Sequence, residues 1–166
     1  MKRVLLNLLL LLPSLALAQE RIDDQVIMIS EQDNAMNIAI QKAQSTLKDF
    51  FKVVENPTDG AEGFKLKVMV SDQDGVEHLW FSPFKKVEGG YVGVLVNEPN
   101  IISSMSYGKV YAFKENQITD WGYVDKGKQV GSFTVCALFK TMDKSVVKQF
   151  KNDHGFVCDY KVLKRN

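Results

Sequence analysis

The sequence contains little of what most enzyme classes use at their active sites. Its 166 residues include two histidines and two cysteines. It lacks a C-x-x-C pair, an H-E-x-x-H pair, a G-x-S-x-G elbow and a glycine-rich phosphate loop. These absences exclude the common zinc, redox and nucleotide-binding motifs, so we expect no cofactor and no metal ion.

The chain also lacks an excess of charge of either sign. It has 21 basic and 20 acidic side chains, whereas a nucleic-acid-binding domain would present a strongly basic surface. Nucleic acid is therefore not an expected partner. The hydrophobic share of 45% and the charged share of 25% are typical of a soluble globular chain of one domain.

Only the beginning of the chain is strongly apolar. Two basic residues precede the leucine-rich run 4–12, and Ala-Leu-Ala at 16–18 has the small-x-small form of a signal-peptidase site. The run is shorter than the roughly 20 residues that cross a bilayer. The sequence therefore predicts a signal peptide cleaved after Ala18 and a periplasmic domain, residues 19–166, without membrane insertion. The alternative, an N-terminal core helix, is disfavoured by five consecutive leucines behind a basic start.

The two cysteines, Cys136 and Cys158, match no metal or redox spacing. In an oxidising compartment two cysteines most simply pair with each other. Closing a loop of about 20 residues stabilises a domain by roughly 3 kcal/mol in the chain-entropy model. The sequence thus predicts a disulfide, with two buried free thiols as the alternative.

From Asp33 to Val54 the apolar residues recur mostly in steps of three and four, with polar residues between them. This periodicity predicts a long amphipathic helix with one face in the core. Pro57 ends the pattern, because the residue before a proline avoids helical backbone.

After the helix the apolar period changes to two, which predicts a series of strands. Asp74-Gly75 is a strong hairpin turn that would pair Val70 with Leu79. The predicted strands are 64–70, 76–81, 91–96, 109–113, 118–124, 129–138 and 156–160, with a short helix at 142–152. Short connections favour antiparallel pairing. We therefore predict an α+β fold, with the long helix on one face of a curved antiparallel sheet or partly closed barrel.

Two aromatic residues are candidate binding anchors. The predicted hairpin register places Met69, His78 and Trp80 on the sheet face opposite the main core. Trp121 lies on a later strand. Tryptophan is enriched at interaction hot spots, so Trp80 and Trp121 would act as anchors if exposed. The alternative is that both belong to the core.

Four polar residues are further candidates. His78 is either a catalytic base or a half-exposed side chain. Asp120, predicted to share a face with Ile118, is either an acid in a pocket or a buried, hydrogen-bonded structural residue. Asn97 and Glu98 form either a turn before a proline or part of a site.

Several segments occur in a characteristic order: AMNIAIQKAQSTLKDFF, EHLWF, GVLVNEP, ITDWGYV and GSFTVC. As a set they resemble the YegJ-like family of exported bacterial proteins, a domain family of unknown function, over about residues 33–140. The resemblance carries over no assigned enzyme activity. Its recurrent motifs include Glu77, His78, Trp80, Asn97, Glu98, Pro99, Asp120 and Trp121.

The sequence favours a non-catalytic binding module, of the inhibitor or immunity type, acting on a periplasmic protein or envelope component. The alternative is a small periplasmic hydrolase using His78 and Asp120, and a third hypothesis is an envelope protein whose aromatic residues are all core. The separation between His78 and Asp120 discriminates between the first two, because a catalytic pair must lie within hydrogen-bond reach.

Overall fold

The computed structural model describes residues 34–158, so the predicted signal peptide and residues 19–33 lie outside it. Helix α1, Asn34–Glu55, ends two residues before Pro57, as the restriction on the residue before a proline requires. Its buried residues recur every three or four positions and pack against the sheet: Met36, Ala39, Ala43, Leu47 and Phe50.

Six strands form one antiparallel sheet. They are β1 Ala61–Asp72, β2 Gly75–Val87, β3 Gly90–Leu95, β4 Val110–Phe113, β5 Ile118–Asp125 and β6 Lys128–Gly131. Their order is β4-β3-β2-β1-β5-β6. Because this order has two ends, the sheet does not close into a barrel. The α+β class, with a helix before the sheet and helices after it, is confirmed.

The β1–β2 hairpin differs from its prediction by two residues. Its turn is Gln73-Asp74, and Val68, not Val70, pairs with Leu79. The Asp72 carboxylate accepts the backbone N–H of Asp74 at 2.8 Å, and an Asp at the first position with a Gly at the fourth favours a type I turn. Because the shift is an even number of residues, every side chain stays on its predicted face.

Strand β5 contains a bulge that the sequence analysis missed. Lys67 of β1 pairs with Asp120, but Val68 pairs with Ile118, so Thr119 is an extra residue. Ile118 therefore faces α1, whereas Asp120 faces the other side of the sheet. The prediction that these two residues share a face is wrong.

The predicted strand 129–138 is in fact a short strand followed by a helix. Strand β6 ends at Gly131, and helix α2 occupies Phe133–Leu138. Gly131 has φ +79°, and a Cβ there would lie 2.3 Å from the Trp121 carbonyl oxygen. The chain can therefore turn against Trp121 only with glycine at this position.

Helix α3, Lys144–His154, corresponds to the predicted C-terminal helix, and Gly155 ends it with φ 70°. Of the predicted last strand, only Phe156 forms a described bridge, parallel to Gln129. A disulfide joins Cys136 in α2 to Cys158 after α3, with 5.4 Å between their Cα atoms. The predicted pairing is confirmed, and it fastens α3 to α2.

The sheet separates two clusters of packed side chains. The main cluster lies between α1 and one sheet face, and Trp121, Phe81 and Leu66 are among its fully buried members. The second cluster lies on the opposite face, where α2, α3 and Phe156 cover Trp80. Trp80 is only 7% exposed, so the C-terminal helices turn its face into a second core.

Candidate functional site

The sheet brings several of the predicted site residues together on the face opposite α1. Lys67 pairs with Trp80 on one side and with Asp120 on the other, and side chains of paired residues lie on the same face. We call this group the Trp80 cluster: Lys65, Lys67, His78, Trp80, Asp120 and Thr134.

Asp120 is completely buried, and each of its carboxylate oxygens accepts two hydrogen bonds. Oδ1 accepts the backbone N–H of Trp121 at 2.8 Å and of Phe133 at 3.2 Å. Oδ2 accepts the backbone N–H of Thr134 at 2.8 Å and its hydroxyl at 2.6 Å. Ser132, at the N-cap of α2, makes no side-chain cap bond. Asp120 therefore caps α2 from the neighbouring strand.

Burial raises the pKa of Asp120, while Lys67 and the hydrogen bonds of Thr134 oppose that increase. The Lys67 ammonium donates to the Thr134 hydroxyl at 3.1 Å, and this hydroxyl donates to Asp120. A hydroxyl thus connects the buried carboxylate to a half-buried cation, an arrangement that reduces the cost of burying the charge.

Two lysines lie over the ring of Trp80. The ammonium nitrogens of Lys65 and Lys67 lie 4.7 and 5.0 Å from the ring centroid, within the range of a cation–π interaction. Trp80 also packs in one buried cluster with Val135, Cys136, Phe150 and Phe156. Trp80 therefore packs as a core residue and is not available as an exposed anchor.

The hydrogen-bond partner of His78 is Thr119 and not Asp120, the other member of the predicted catalytic pair. Its Nδ1 lies 2.9 Å from the Thr119 hydroxyl, and this hydroxyl donates to the Lys67 carbonyl at 3.4 Å. Burial, with a smaller effect of Lys67, lowers the pKa of His78. The bonds of His78 and Asp120 go to different partners, so the geometry does not form an acid–base pair.

The other predicted residues also lie apart from a common pocket. Asn97 is buried, and its Oδ1 accepts the backbone N–H of Trp80 at 2.7 Å, which extends the pairing beside β3. Glu98 is exposed. Trp121 stacks on Phe50 with 4.9 Å between ring centroids and donates from Nε1 to the Ala43 carbonyl at 2.9 Å. It belongs to the main core.

Glu77 has a role that the sequence analysis missed. Its buried carboxylate accepts the backbone N–H groups of Asn100, Ile101 and Ile102 at 3.0 to 3.2 Å. The loop after β3 is thereby held over the β1–β2 hairpin. The sequence does contain an indication, because a glutamate alternates with Leu79 on the inward face of β2 and such a buried charge needs partners.

Asp72 holds the same loop at a second point. It accepts the backbone N–H and the hydroxyl of Ser104 at 3.0 and 2.7 Å. The Ser104 hydroxyl is the main reason why the pKa of Asp72 lies below its usual value. The carboxylates of Glu77 and Asp72 therefore both accept hydrogen bonds from the loop after β3.

Among residues 34–158, no group of three or more His, Cys, Asp or Glu side chains could hold a metal ion.

The fold and these motifs belong to a defined family. The family described as an uncharacterized protein conserved in bacteria (DUF2314) matches residues 33–158, and the chain belongs to this family. It is 30% identical over 151 residues to "Uncharacterized protein YegJ" of Escherichia coli strain K12, across 91% of this chain and 97% of that protein. The resemblance to YegJ-like proteins is thus confirmed.

A second relative is longer. The chain is 27% identical over 125 residues to a Neisseria meningitidis serogroup B protein that is named as an ankyrin repeat protein, across 70% of this chain. The match covers 49% of that protein, so about half of its length lies outside it. No solved structure matches the chain. In the described part of the chain, no helix has the length and apolar character needed to cross a membrane.

Proposed function

We propose that this protein is exported to the periplasm and acts there as a non-catalytic binding module for a protein or envelope component. The observation that carries this proposal is an apolar strip on the sheet face opposite α1. It consists of two cross-strand pairs of β3 and β4, Val94 with Val110 and Val92 with Ala112. Val110 is 62% exposed, and the four side chains lie outside both packed clusters.

Exposed apolar surface of this kind is typical of an interaction site. The strip includes side chains of β4, which is a terminal strand of the sheet. A terminal strand offers backbone donors and acceptors for an added strand. We therefore infer that a partner chain contacts the strip through apolar side chains.

The geometry favours binding over the hydrolase alternative. Asp120 is sealed from solvent by four donors, whereas a general acid or base must reach its substrate. The disulfide is compatible with an oxidising compartment such as the periplasm.

Site-specific photocross-linking in the periplasm tests the proposal. A photoreactive residue is placed at Val110, and the control is Ile38, which is 57% exposed on α1. We expect a defined adduct only from position 110. The captured protein is then purified and should bind the mature chain directly, and Val110→Glu should weaken this binding while Ile38→Glu leaves it intact. Identical adducts from both positions, or none from either, would refute the proposal.

The predicted export has its own test. Intact-mass measurement of protein from the periplasmic fraction should give the mass of a chain that begins at Gln19. Full-length protein confined to the cytoplasm would contradict it.

A further inference from the structure

The outward face of α3 is basic and borders an open hollow. Lys144, Lys148 and Lys151 follow one another at intervals of four and three residues, so they project from one side of the helix. Together with Phe139, Val147 and Asn152 they line an open hollow of about 300 Å³. We call this hollow the α3 groove.

The groove has an apolar floor and a basic rim. Phe139 and Val147 are half-buried, whereas the three lysines are exposed. Phe139 is held in place by ring contacts to Phe150 and Phe156, 5.6 and 5.3 Å between centroids. The floor is therefore part of the disulfide-linked second core and does not depend on a mobile side chain.

The charge around the groove is not balanced locally. Residues 139–158 contain four lysines and two aspartates, although the whole chain has nearly equal numbers of basic and acidic residues. Of these aspartates, Asp143 caps α3 by accepting the backbone N–H of Ser145 at 2.7 Å.

We propose that the α3 groove binds an acidic polypeptide segment that inserts one apolar side chain between its carboxylates. This inference rests on the proposed binding function and names the chemistry of the partner. The three lysines provide charge complementarity along one line, which steers association and selects an anionic ligand. The concave apolar floor favours a peptide side chain over a flat anionic bilayer, which would meet only the lysine rim.

Fluorescence anisotropy with defined peptides tests the inference. The probe is a dye-labelled peptide of sequence Glu-Glu-Leu-Glu-Glu, and its controls replace every Glu with Gln or the Leu with Gly. We expect the mature protein to bind the probe at low salt and both control peptides at least about tenfold more weakly. Binding should weaken steeply between about 50 and 300 mM salt, because exposed charges are screened over this range.

Two triple variants with the same change in charge identify the site. Lys144→Gln, Lys148→Gln and Lys151→Gln together should weaken binding about tenfold or more. The matched control changes Lys48, Lys86 and Lys114, which are exposed elsewhere on the protein, and should retain affinity within about twofold. Circular dichroism confirms that both variants fold. Equal losses in the two variants would overturn the inference.

Vesicles containing phosphatidylglycerol test the competing hypothesis, in which the α3 lysines bind an anionic membrane surface. Binding to these vesicles that depends on the α3 lysines, without peptide binding, would replace the peptide with a membrane surface and overturn the proposal. The proposed function fails separately. If the partner captured at position 110 binds the wild type and the α3 triple variant equally and the peptide does not bind, only the inference about α3 is wrong. Peptide binding without any captured partner would refute only the role of the β3–β4 strip.

Discussion

Replacement of Asp120 tests whether a residue that resembles a catalytic acid is instead the attachment point of α2. Its carboxylate accepts three backbone N–H groups and one hydroxyl, all of them buried. Asp120→Asn keeps the shape of the side chain but exchanges one acceptor oxygen for an amide NH2. In either orientation of the amide, this NH2 would face two groups that already donate to Asp120.

The expected magnitude follows from the number of donors that lose an acceptor. A buried donor without a partner costs about 1–3 kcal/mol, and a hydrogen bond to a charged group contributes about 1.5–3 kcal/mol. The summed cost has an upper limit, because the short helix α2 can detach and let its free N–H groups bind water instead. We therefore expect Asp120→Asn to lower the free energy of unfolding by about 2–4 kcal/mol, and Asp120→Ala by about 3–5 kcal/mol.

Thr134→Val removes the hydroxyl bonds to Asp120 and Lys67 but keeps the backbone bond to Asp120. Its expected cost is therefore about 1.5–3 kcal/mol. Because both substitutions disrupt the same contact, the double variant Asp120→Asn, Thr134→Val should cost less than the sum of the two. Glu98→Gln is the matched control. Glu98 is exposed, and surface substitutions usually stay within about 0.5 kcal/mol.

Urea unfolding followed by tryptophan fluorescence measures these differences, with the disulfide kept oxidised. Hydrogen exchange of the Phe133 and Thr134 amides adds a local measurement, since both should lose protection in Asp120→Asn. The reasoning is refuted if Asp120→Asn unfolds at the same urea concentration as Glu98→Gln, or if the effects of Asp120 and Thr134 are additive.

Three further predictions concern the two packed clusters and the disulfide between α2 and the segment after α3. Trp80→Ala should lower the free energy of unfolding by about 3–5 kcal/mol, as expected for a buried tryptophan, and near-wild-type urea unfolding would contradict its place in the second core. Loss of the Cys136–Cys158 bridge should cost roughly 3 kcal/mol, and thermal melts with and without reductant measure this cost. Burial, and then the hydrogen bond to Glu115, raises the pKa of Tyr91 to about 12. Stability from this bond is complete below the unfolded tyrosine value of about 10 and is lost as the pH rises through the folded value. Ultraviolet titration should therefore contain a late tyrosine step that Tyr91→Phe removes.

The helix, the strands of the hairpin and the faces of their side chains could be predicted, because each depends on local periodicity. Alternation has a period of two, so an error of two residues in the hairpin left Trp80 and His78 on the correct face. The position of the turn could not be predicted from Asp74-Gly75 alone. The carboxylate of Asp72 stabilises the turn one residue earlier, and this carboxylate is also engaged with Ser104, 32 positions away.

The β6–α2 junction was missed for a different reason. The apolar residues from Val130 to Leu138 are compatible with a strand, but Gly131 must pass against Trp121, a contact that arises only after β5 and β6 have paired. A local indication was present in Gly131-Ser132, a breaker followed by a common N-cap residue. The bulge at Thr119 had no such indication, and it alone decides which way Asp120 points.

The buried polar residues of the sheet share one physical constraint. A buried carboxylate or amide needs a particular set of donors and acceptors around it, so Asp120, Glu77 and Asn97 stand out in the sequence as polar residues within apolar strands. Each of them binds backbone groups of a distant segment, and each therefore determines where that segment lies. Exposed side chains such as Val110 and Lys148 satisfy no such constraint and leave no local pattern. A search for unusual residues thus finds the interactions that hold the sheet, the loop and α2 together, while the surfaces available to a partner emerge only when the chain is folded.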